Sequence, residues 1–427
     1  MPKITKEKAL AYHVGGKIGI AAKTPFNTEH ELSLAYTPGV AYPCLEIEKD
    51  PSLSFKYTNR ANLVAVISDG SAVLGLGNIG PLAGKPVMEG KSVLFKKFAC
   101  IDAFDIELDV HSVDEIVAVC RAIAPTFGGI NLEDIAVPHC FEIEKKLQEV
   151  LDIPVFHDDQ HGTAIITTAG LINALKLTGK KAEEIKVVIN GAGAAGIASA
   201  KMYQALGVRH IIMCDSKGVL STRRSDLNAY KAAFAIETEA STLEEVIAGA
   251  DMFLGLSKAG ALSKEMVAQM APEPIIFALA NPIPEILPEE VVKVRNDVIM
   301  GTGRSDYPNQ INNVLGFPFI FRGALDVCAK RITEKMKMAA ARALATLAKA
   351  PASEDLKAVY PNASLLYGKE YLIPKAFDKE VLAGVASAVA RCAVEEGVSS
   401  IEHYDHEAYQ AQLRAMIYET KGYEKEK

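Results

Sequence analysis

No stretch of the sequence stays apolar for the roughly 20 residues that a membrane-spanning helix needs. There is also no C-x-x-C pair. The seven cysteines, at 44, 100, 120, 140, 214, 328 and 392, are odd in number and scattered, which fits reduced thiols in a cytosolic protein rather than a disulfide framework. Positive charge is in short supply. With 46 Lys and Arg against 53 Asp and Glu the net charge is −7, which argues against nucleic acid or an anionic membrane as the main partner. An anionic substrate must then be gripped by local cations. The first residues, Met-Pro-Lys-Ile-Thr-Lys-Glu-Lys, hold no apolar core of a signal peptide, and no low-complexity run occurs. The missing tryptophan excludes nothing. What is present is globular: 49% hydrophobic and 23% charged residues in a chain of 427, long enough for two domains of roughly 150–250 residues. A cytoplasmic location is expected.

The stretch that organises the rest is Val155–Thr163, Val-Phe-His-Asp-Asp-Gln-His-Gly-Thr. It follows a Pro-led apolar run and precedes a long apolar helical pattern, Ala164–Leu177, so Asp158 and Asp159 fall at a strand-to-helix turn. Adjacent carboxylates raise each other's pKa unless donors or a cation compensate, and a hard divalent metal is an economical compensation. The plain alternative is an N-cap aspartate with a solvated neighbour. A second acidic pair, Glu133-Asp134, ends the apolar run that begins at Gly129. In open α/β sheets ligands sit beyond the carboxyl ends of the strands. Three carboxylates converging there would suit Mg²⁺ or Mn²⁺. His157 and His161 share the i, i+4 spacing of zinc proteases, but that motif requires both on a formed helix with Glu after the first, and here Asp158 stands in that place.

Upstream, residues 1–35 read as a polar amphipathic helix, a Gly15-Gly16 turn and a loop. Pro38-Gly39 enforces a turn that holds Tyr36 at the mouth of a bend, a place for a phenolic acid or for a ring packed beside the turn. Leu63–Ser68 is a buried-strand pattern closed by Asp69-Gly70. Glycines 75, 77, 80, 84 and 90 follow, with Lys85 and Lys91. Gly90-Lys91-Ser92 invites a phosphate-loop reading, but five residues separate Gly84 from Gly90 where the Walker pattern has four. The remaining reading is backbone wrapped closely around something, then a helix from about Lys91 to Cys100. A lysine at a helix start works against the helix dipole, and a residue that breaks a local rule is a candidate for a functional role. The alternative is a solvated surface lysine. Ala103–Leu108 reads as a strand, Val113–Ala124 as a helix, and Pro138 as the start of another running to about Leu151.

Downstream, Ile185–Asn190 reads as a strand leading into Gly191-Ala-Gly193-Ala-Ala-Gly196 and an Ala-rich helix; Arg209–Cys214 is a second strand ending in Asp215. This is a dinucleotide-binding fingerprint in its full context. Gly191 makes the tight turn, Gly193 admits the pyrophosphate, and Gly196 lets helix and strand pack closely. The amides of Ala192, Ala194 and Ala195 would bind phosphate with the helix N-terminus. Asp215 slightly favours NAD, whose ribose 2′-OH it can accept from; Lys217, Arg223 and Arg224 could instead meet the 2′-phosphate of NADP. Strands follow at Met252–Leu256, Ile275–Leu279 and Val298–Met300; the second of these ends in Ala280-Asn281-Pro282, a turn that fixes the Asn281 amide beside the strand's carboxyl end. Asn309 to Asn313 clusters amides that can hydrogen-bond a carboxylate without adding charge, Asn312 and Asn313 among them. Residues 324–349 and 379–397 read as Ala-rich helices, and the charged tail 421–427 as frayed.

Together these stretches resemble the malic enzymes, in their short bacterial and archaeal form, over nearly the whole chain. The resemblance rests on Tyr-Thr-Pro-Gly-Val at 36–40, Gly-Leu-Gly-Asn-Ile-Gly at 75–80, Glu-Gly-Lys at 89–91 and Asn-Leu-Glu-Asp at 131–134. Phe-His-Asp-Asp-Gln-His-Gly-Thr at 156–163, the dinucleotide loop, Ala-Leu-Ala-Asn-Pro at 278–282 and Asn-Asn-Val at 312–314 complete it. It implies Tyr36 as general acid, Lys91 as general base, Asp158 beside that lysine, and Glu133, Asp134 and Asp159 as metal ligands. Asn281 and Asn313 would touch cofactor and substrate. The implied activity is metal-dependent oxidative decarboxylation of L-malate to pyruvate and CO₂ with reduction of NAD or NADP, in a homodimer. Larger eukaryotic relatives carry an arginine where this chain has Ala72, so the partner of the second substrate carboxylate is open. The expected fold is α/β: an N-terminal domain over 1–160, then a Rossmann-type doubly wound parallel sheet over 161–427 with C-terminal helices.

Overall fold

A computed structural model describes residues 4–110 and 112–419; the tail expected to fray lies outside these. Two parallel sheets organise the chain. The first runs β2-β1-β3-β4, with β1 Leu63–Ser68, β2 Asp102–Glu107, β3 Gly129–Leu132 and β4 Val155–His157. The second runs β10-β9-β8-β5-β6-β7, with β5 Lys186–Asn190, β6 His210–Asp215, β7 Gly218–Val219, β8 Met252–Gly255, β9 Ile275–Ala278 and β10 Ile299–Thr302. Only β7 pairs antiparallel. Parallel sheets are covered on both faces, so their strands are continuous apolar runs, as in the wholly buried Leu-Val-Ala-Val-Ile-Ser of β1. This is why the strands were readable in the sequence.

Register places the site. Ile67 of β1 pairs with Leu132 of β3, and Leu132 with His157 of β4. The next residues, Glu133-Asp134 and Asp158-Asp159, therefore leave the sheet at the same edge.

Helix boundaries depart from expectation. The helix placed at about Lys91 spans Gly80–Ala99, so Lys91 is mid-helix and the dipole argument for it fails. Gly and Pro lower helix propensity, which hid the first turns. Pro81 sits in the first turn, where its missing N–H costs nothing, and Gly84, Met88 and Lys91 are buried. The helix expected from Ala164 already begins at Asp158 and runs to Thr178, across the division at residue 160. It is buried on nearly every side along Ala164–Leu175, which accounts for its lack of a polar face. A second N-terminal helix, Glu29–Ala35, lies in the stretch read as loop. The pattern over 324–349 is two helices, Phe317–Asp326 and Glu334–Leu347. The first of these packs on the helix Gly80–Ala99: Phe317 and Phe321 meet Phe95 edge-on, with ring centroids 4.8 and 5.3 Å apart. One apolar core includes residues of both sheets.

Candidate functional site

The carboxyl edge of the first sheet carries four acids and one lysine. Ligand oxygens of Glu133, Asp134 and Asp159 all lie within 4.8 Å of one another. Lys91 projects from the middle of its helix, 8% exposed, and its Nζ stands 2.8 Å from Glu133 Oε1 and 2.6 Å from Asp158 Oδ2. The ring of Phe317 lies against the same ammonium, 4.2 Å from its centroid. Asn313 donates from Nδ2 to Asp158 Oδ2 at 2.6 Å, and Asn131 donates to Glu133 Oε2 at 2.9 Å. Asp159 Oδ2 accepts the backbone N–H of Asp134 at 2.8 Å. Asp134 adopts φ 52°, the left-handed region that few non-glycine residues occupy.

Four carboxylates thus share one ammonium, and the electrostatics follow. Burial, and then the neighbouring Asp159, push Asp134 up to about 7. Burial pushes Glu133 well above the ordinary carboxylate range, with Asp159, Asp158 and Asp134 adding to the effect against the pull of Lys91. Burial also raises Asp158. For Lys91 burial favours the neutral amine, yet Asp158 and Glu133 outweigh it and hold the ammonium above its usual range. Two carboxylates in direct contact thus overcome the desolvation of this lysine.

Two buried oxygens, Asp134 Oδ2 and Asp158 Oδ1, have no hydrogen-bond partner. Hard, dry, unpartnered carboxylate oxygens with excess negative charge fit a divalent cation of the Mg²⁺ or Mn²⁺ kind. Glu133, Asp134 and Asp159 have the spacing to hold one. The two histidines are otherwise engaged. His157 Nδ1 accepts from the backbone N–H of Gln160 at 3.2 Å, capping the helix, and His161 Nε2 lies 2.9 Å from Glu144 Oε1.

Glycine geometry shapes the dinucleotide loop. Gly191 has φ 130°, and a Cβ on Gly196 would stand 1.9 Å from Gly191 O, so only glycine lets the helix Ala194–Leu206 start there. Gly191, Ala192 and Gly193 line a cavity of about 610 Å³ with Asn190, Asp215, Ser257, Lys258 and Lys231. Val137, three residues past Asp134, lines it too, so the cavity borders the acid cluster's own segment.

Asp215 is not free. Oδ1 accepts from Lys217 N at 2.9 Å and Arg224 at 2.8 Å; Oδ2 accepts from Arg224 at 3.1 Å and Lys231 at 2.7 Å. A carboxylate offers about four lone pairs. All are taken. Although burial opposes it, Arg224 and Lys231 draw Asp215 down to about 2. The slight lean toward NAD rested on an open acceptor, and none remains. Arg223, the other cation named for a 2′-phosphate, pairs with Glu239 instead.

The other expected residues hold different contacts. Tyr36 ends the helix Glu29–Ala35, is 68% exposed, and makes no hydrogen bond to the acid cluster. Asn312 accepts from Val314 N, closing a helical turn that presents Asn313. The Asn281 amide lies near Gly303, and its carbonyl approaches Gly75 of the Gly-rich loop. Ala72 donates its N–H to Asp134 O at 3.0 Å. Sequence reading missed Asn131 and Phe317. The signal for the first was a lone amide in the buried strand Gly-Ile-Asn-Leu; for Phe317 there was none. No helix among the described residues is long and apolar enough to cross a membrane.

Two family models match stretches of this chain. Residues 15–148 match "Malic enzyme, N-terminal domain" and residues 160–368 match "Malic enzyme, NAD binding domain". An NADP-dependent malic enzyme of Rhizobium meliloti (strain 1021) is 54% identical over 97% of this chain, and an NAD-dependent malic enzyme of the same strain 51% identical over 96%. The chain spans only 55% and 54% of the lengths of those curated relatives. The crystal structure of malic enzyme from Pyrococcus horikoshii Ot3 superimposes with a TM-score of 0.89 at 43% identity, covering 98% of this chain and 96% of that one.

Proposed function

Because this chain belongs to the malic enzyme family, we propose that it oxidatively decarboxylates L-malate to pyruvate and CO₂ while reducing a nicotinamide dinucleotide. The observation that carries the reading is the buried Lys91 ammonium between Glu133 and Asp158, beside acids spaced for a divalent cation. We infer a division of labour in which residues 1–160 supply these groups and 161–427 the dinucleotide loop and C-terminal helices.

Glu133, Asp134 and Asp159 would hold Mg²⁺ or Mn²⁺, which when bound would supply Lewis-acid polarisation of the substrate's C2 oxygen and offset the negative charge of the cluster. Lys91 would first release its ammonium proton to solvent and then, as the neutral amine hydrogen-bonded to Asp158, accept the C2 hydroxyl proton while C2 gives hydride to a dinucleotide bound at Gly191–Gly196. The C3–C4 bond breaks, CO₂ leaves, and its electron pair stays with C3. Tyr36 returns a proton there, giving pyruvate. Asn281 and Asn313 hold substrate and cofactor in line, with Asn313 also fixing Asp158.

NADP is the cofactor the Asp215 surroundings favour. The carboxylate of Asp215 is saturated, and the cations around it, Lys217, Arg224 and Lys231, outnumber the acids they pair with, Asp215 and Asp226, while Arg224 also donates to the carbonyls of Gly218 and Val219. A second copy of the chain completes the reading. The helices before residue 58 bury no residue, and Leu10, Val14, Ile20, Leu34 and Tyr42 are all exposed, as is Tyr36. A homodimer would cover that face and take Tyr36 out of bulk water. A cytoplasmic setting accords with the odd number and scatter of the cysteines.

The test is the absorbance of reduced nicotinamide on adding L-malate with Mn²⁺, run with NAD and NADP separately. Metal-dependent reduction abolished by EDTA is expected. No reduction with either dinucleotide would overturn the reading.

A further inference from the structure

Glu285 is fully buried at the carboxyl end of the second sheet, and none of the roles above uses it. Its Oε1 accepts the backbone N–H of Ser257 at 2.8 Å, and its Oε2 accepts that of Ala280 at 3.0 Å. The Ser257 hydroxyl lies 3.4 Å from the same Oε1 and itself accepts from Asn190 Nδ2 at 2.9 Å. Every group that meets this carboxylate donates to it. A protonated acid would bring a donor into a ring of donors, so the geometry selects the ionised form even though burial pulls its pKa upward. The strand beneath makes room for it: a Cβ on Gly255 would stand 2.4 Å from Glu285 Cδ.

The two anchored N–H groups belong to different walls of the cleft. Ser257 follows β8 and lines the cavity that contains Gly191–Gly193. Ala280 follows β9 and immediately precedes Asn281, whose carbonyl approaches Gly75 of the first domain. The same two loops also meet where the backbone N–H of Leu262 donates to the carbonyl of Glu285 at 3.2 Å, so the carboxylate adds a second tie at the end nearer the cavity.

We propose that Glu285 is a positioning residue of the dinucleotide cleft, its buried carboxylate clamping the loop after β8 to the loop after β9 so that Ser257 and Asn281 are held against the cofactor. The proposal rests on reading that cavity as the dinucleotide site. Glu285→Gln keeps the size of the side chain but turns one acceptor into a donor facing an N–H, so the clamp opens on one side. Its expected effect is a loss of about tenfold or more in dinucleotide affinity, the range seen when an outer partner of a binding group is removed.

The test measures dissociation constants of NADP and NADPH by fluorescence titration on the full chain, and of Mn²⁺ alone by calorimetry, in wild type, Glu285→Gln and Gly255→Ala. Gly255→Ala pushes the carboxylate from the opposite side and serves if the first variant does not fold. Weakened dinucleotide binding with unchanged Mn²⁺ binding, in either folded variant, is the expected result. Wild-type dinucleotide affinity in a folded variant would overturn the proposal, as would an equal loss of Mn²⁺ binding, which marks a general structural role. A wild-type chain that binds neither dinucleotide would instead overturn the reading of the cavity.

Discussion

Lys91 shows how strongly a single residue's chemistry depends on what it touches. In water its ammonium is an ordinary cation. Here it is buried, and only Glu133 and Asp158 make that tolerable. Lys91→Ala is expected to abolish measurable turnover while dinucleotide binding persists, since no atom of Lys91 lines the dinucleotide cavity. It should also lower metal-free stability by about 3–5 kcal/mol, the usual result of stranding a buried charge. Fluorescence titration and thermal melts read the two effects separately. Turnover near wild type would remove Lys91 as the base. Asp158 is the mirror case: Lys91 and Asn313 share its Oδ2 while Oδ1 is left unpartnered.

At the scale of elements, what could be read in the sequence depended on how regular the element is. The strands of both sheets were legible because parallel sheets bury both faces and leave plain apolar runs. The helix Gly80–Ala99 was legible only in its second half, since Gly80, Gly84 and Pro86 speak against a helix that tertiary packing imposes. The β6–β7 turn with the residues just beyond it gives the opposite lesson. Its charges were visible, but their pairing was not, because Lys231 and Asp215 are sixteen positions apart and meet only in the fold. That pairing makes a prediction about the segment. Lys231→Gln should weaken NADP binding by about tenfold, the worth of a hydrogen bond to a charged group, while NAD binding changes far less. Equal losses for both dinucleotides would show that Lys231 does not face the 2′-phosphate.

The whole molecule responds to pH through its acid cluster. Asp134 is pushed up to about 7, mainly by burial and then by Asp159, whereas an unfolded aspartate titrates near ~4. Between those values the folded chain binds the extra proton, so stability falls as pH rises through that window. In EDTA the melting temperature should drop from about pH 4 to pH 7, and Mn²⁺ should offset the drop by taking the proton's place. A metal-free melting curve flat in pH would mean that the acids are solvated. The exposed N-terminal face makes the other prediction at this scale. Sedimentation should find a dimer, and Tyr42→Asp, placing a charge on a 74%-exposed ring of that face, should shift it toward monomer. An unshifted equilibrium would place the contact elsewhere.

By itself the sequence determined which groups this chain owns: the acidic pairs after two strands, the glycine loop, the lysine, and the alternation of strand and helix that makes parallel sheets. Those are local properties, carried by residue type and spacing within a few turns of chain. Only the tertiary structure decided which of them meet. Strand register brought residues 133–134 and 158–159 to one edge, a helix starting at Gly80 aimed Lys91 between two of them, and distant cations closed off Asp215. Proximity sets charge, because a buried group's protonation is governed by neighbours within a few ångströms, whatever their separation along the chain.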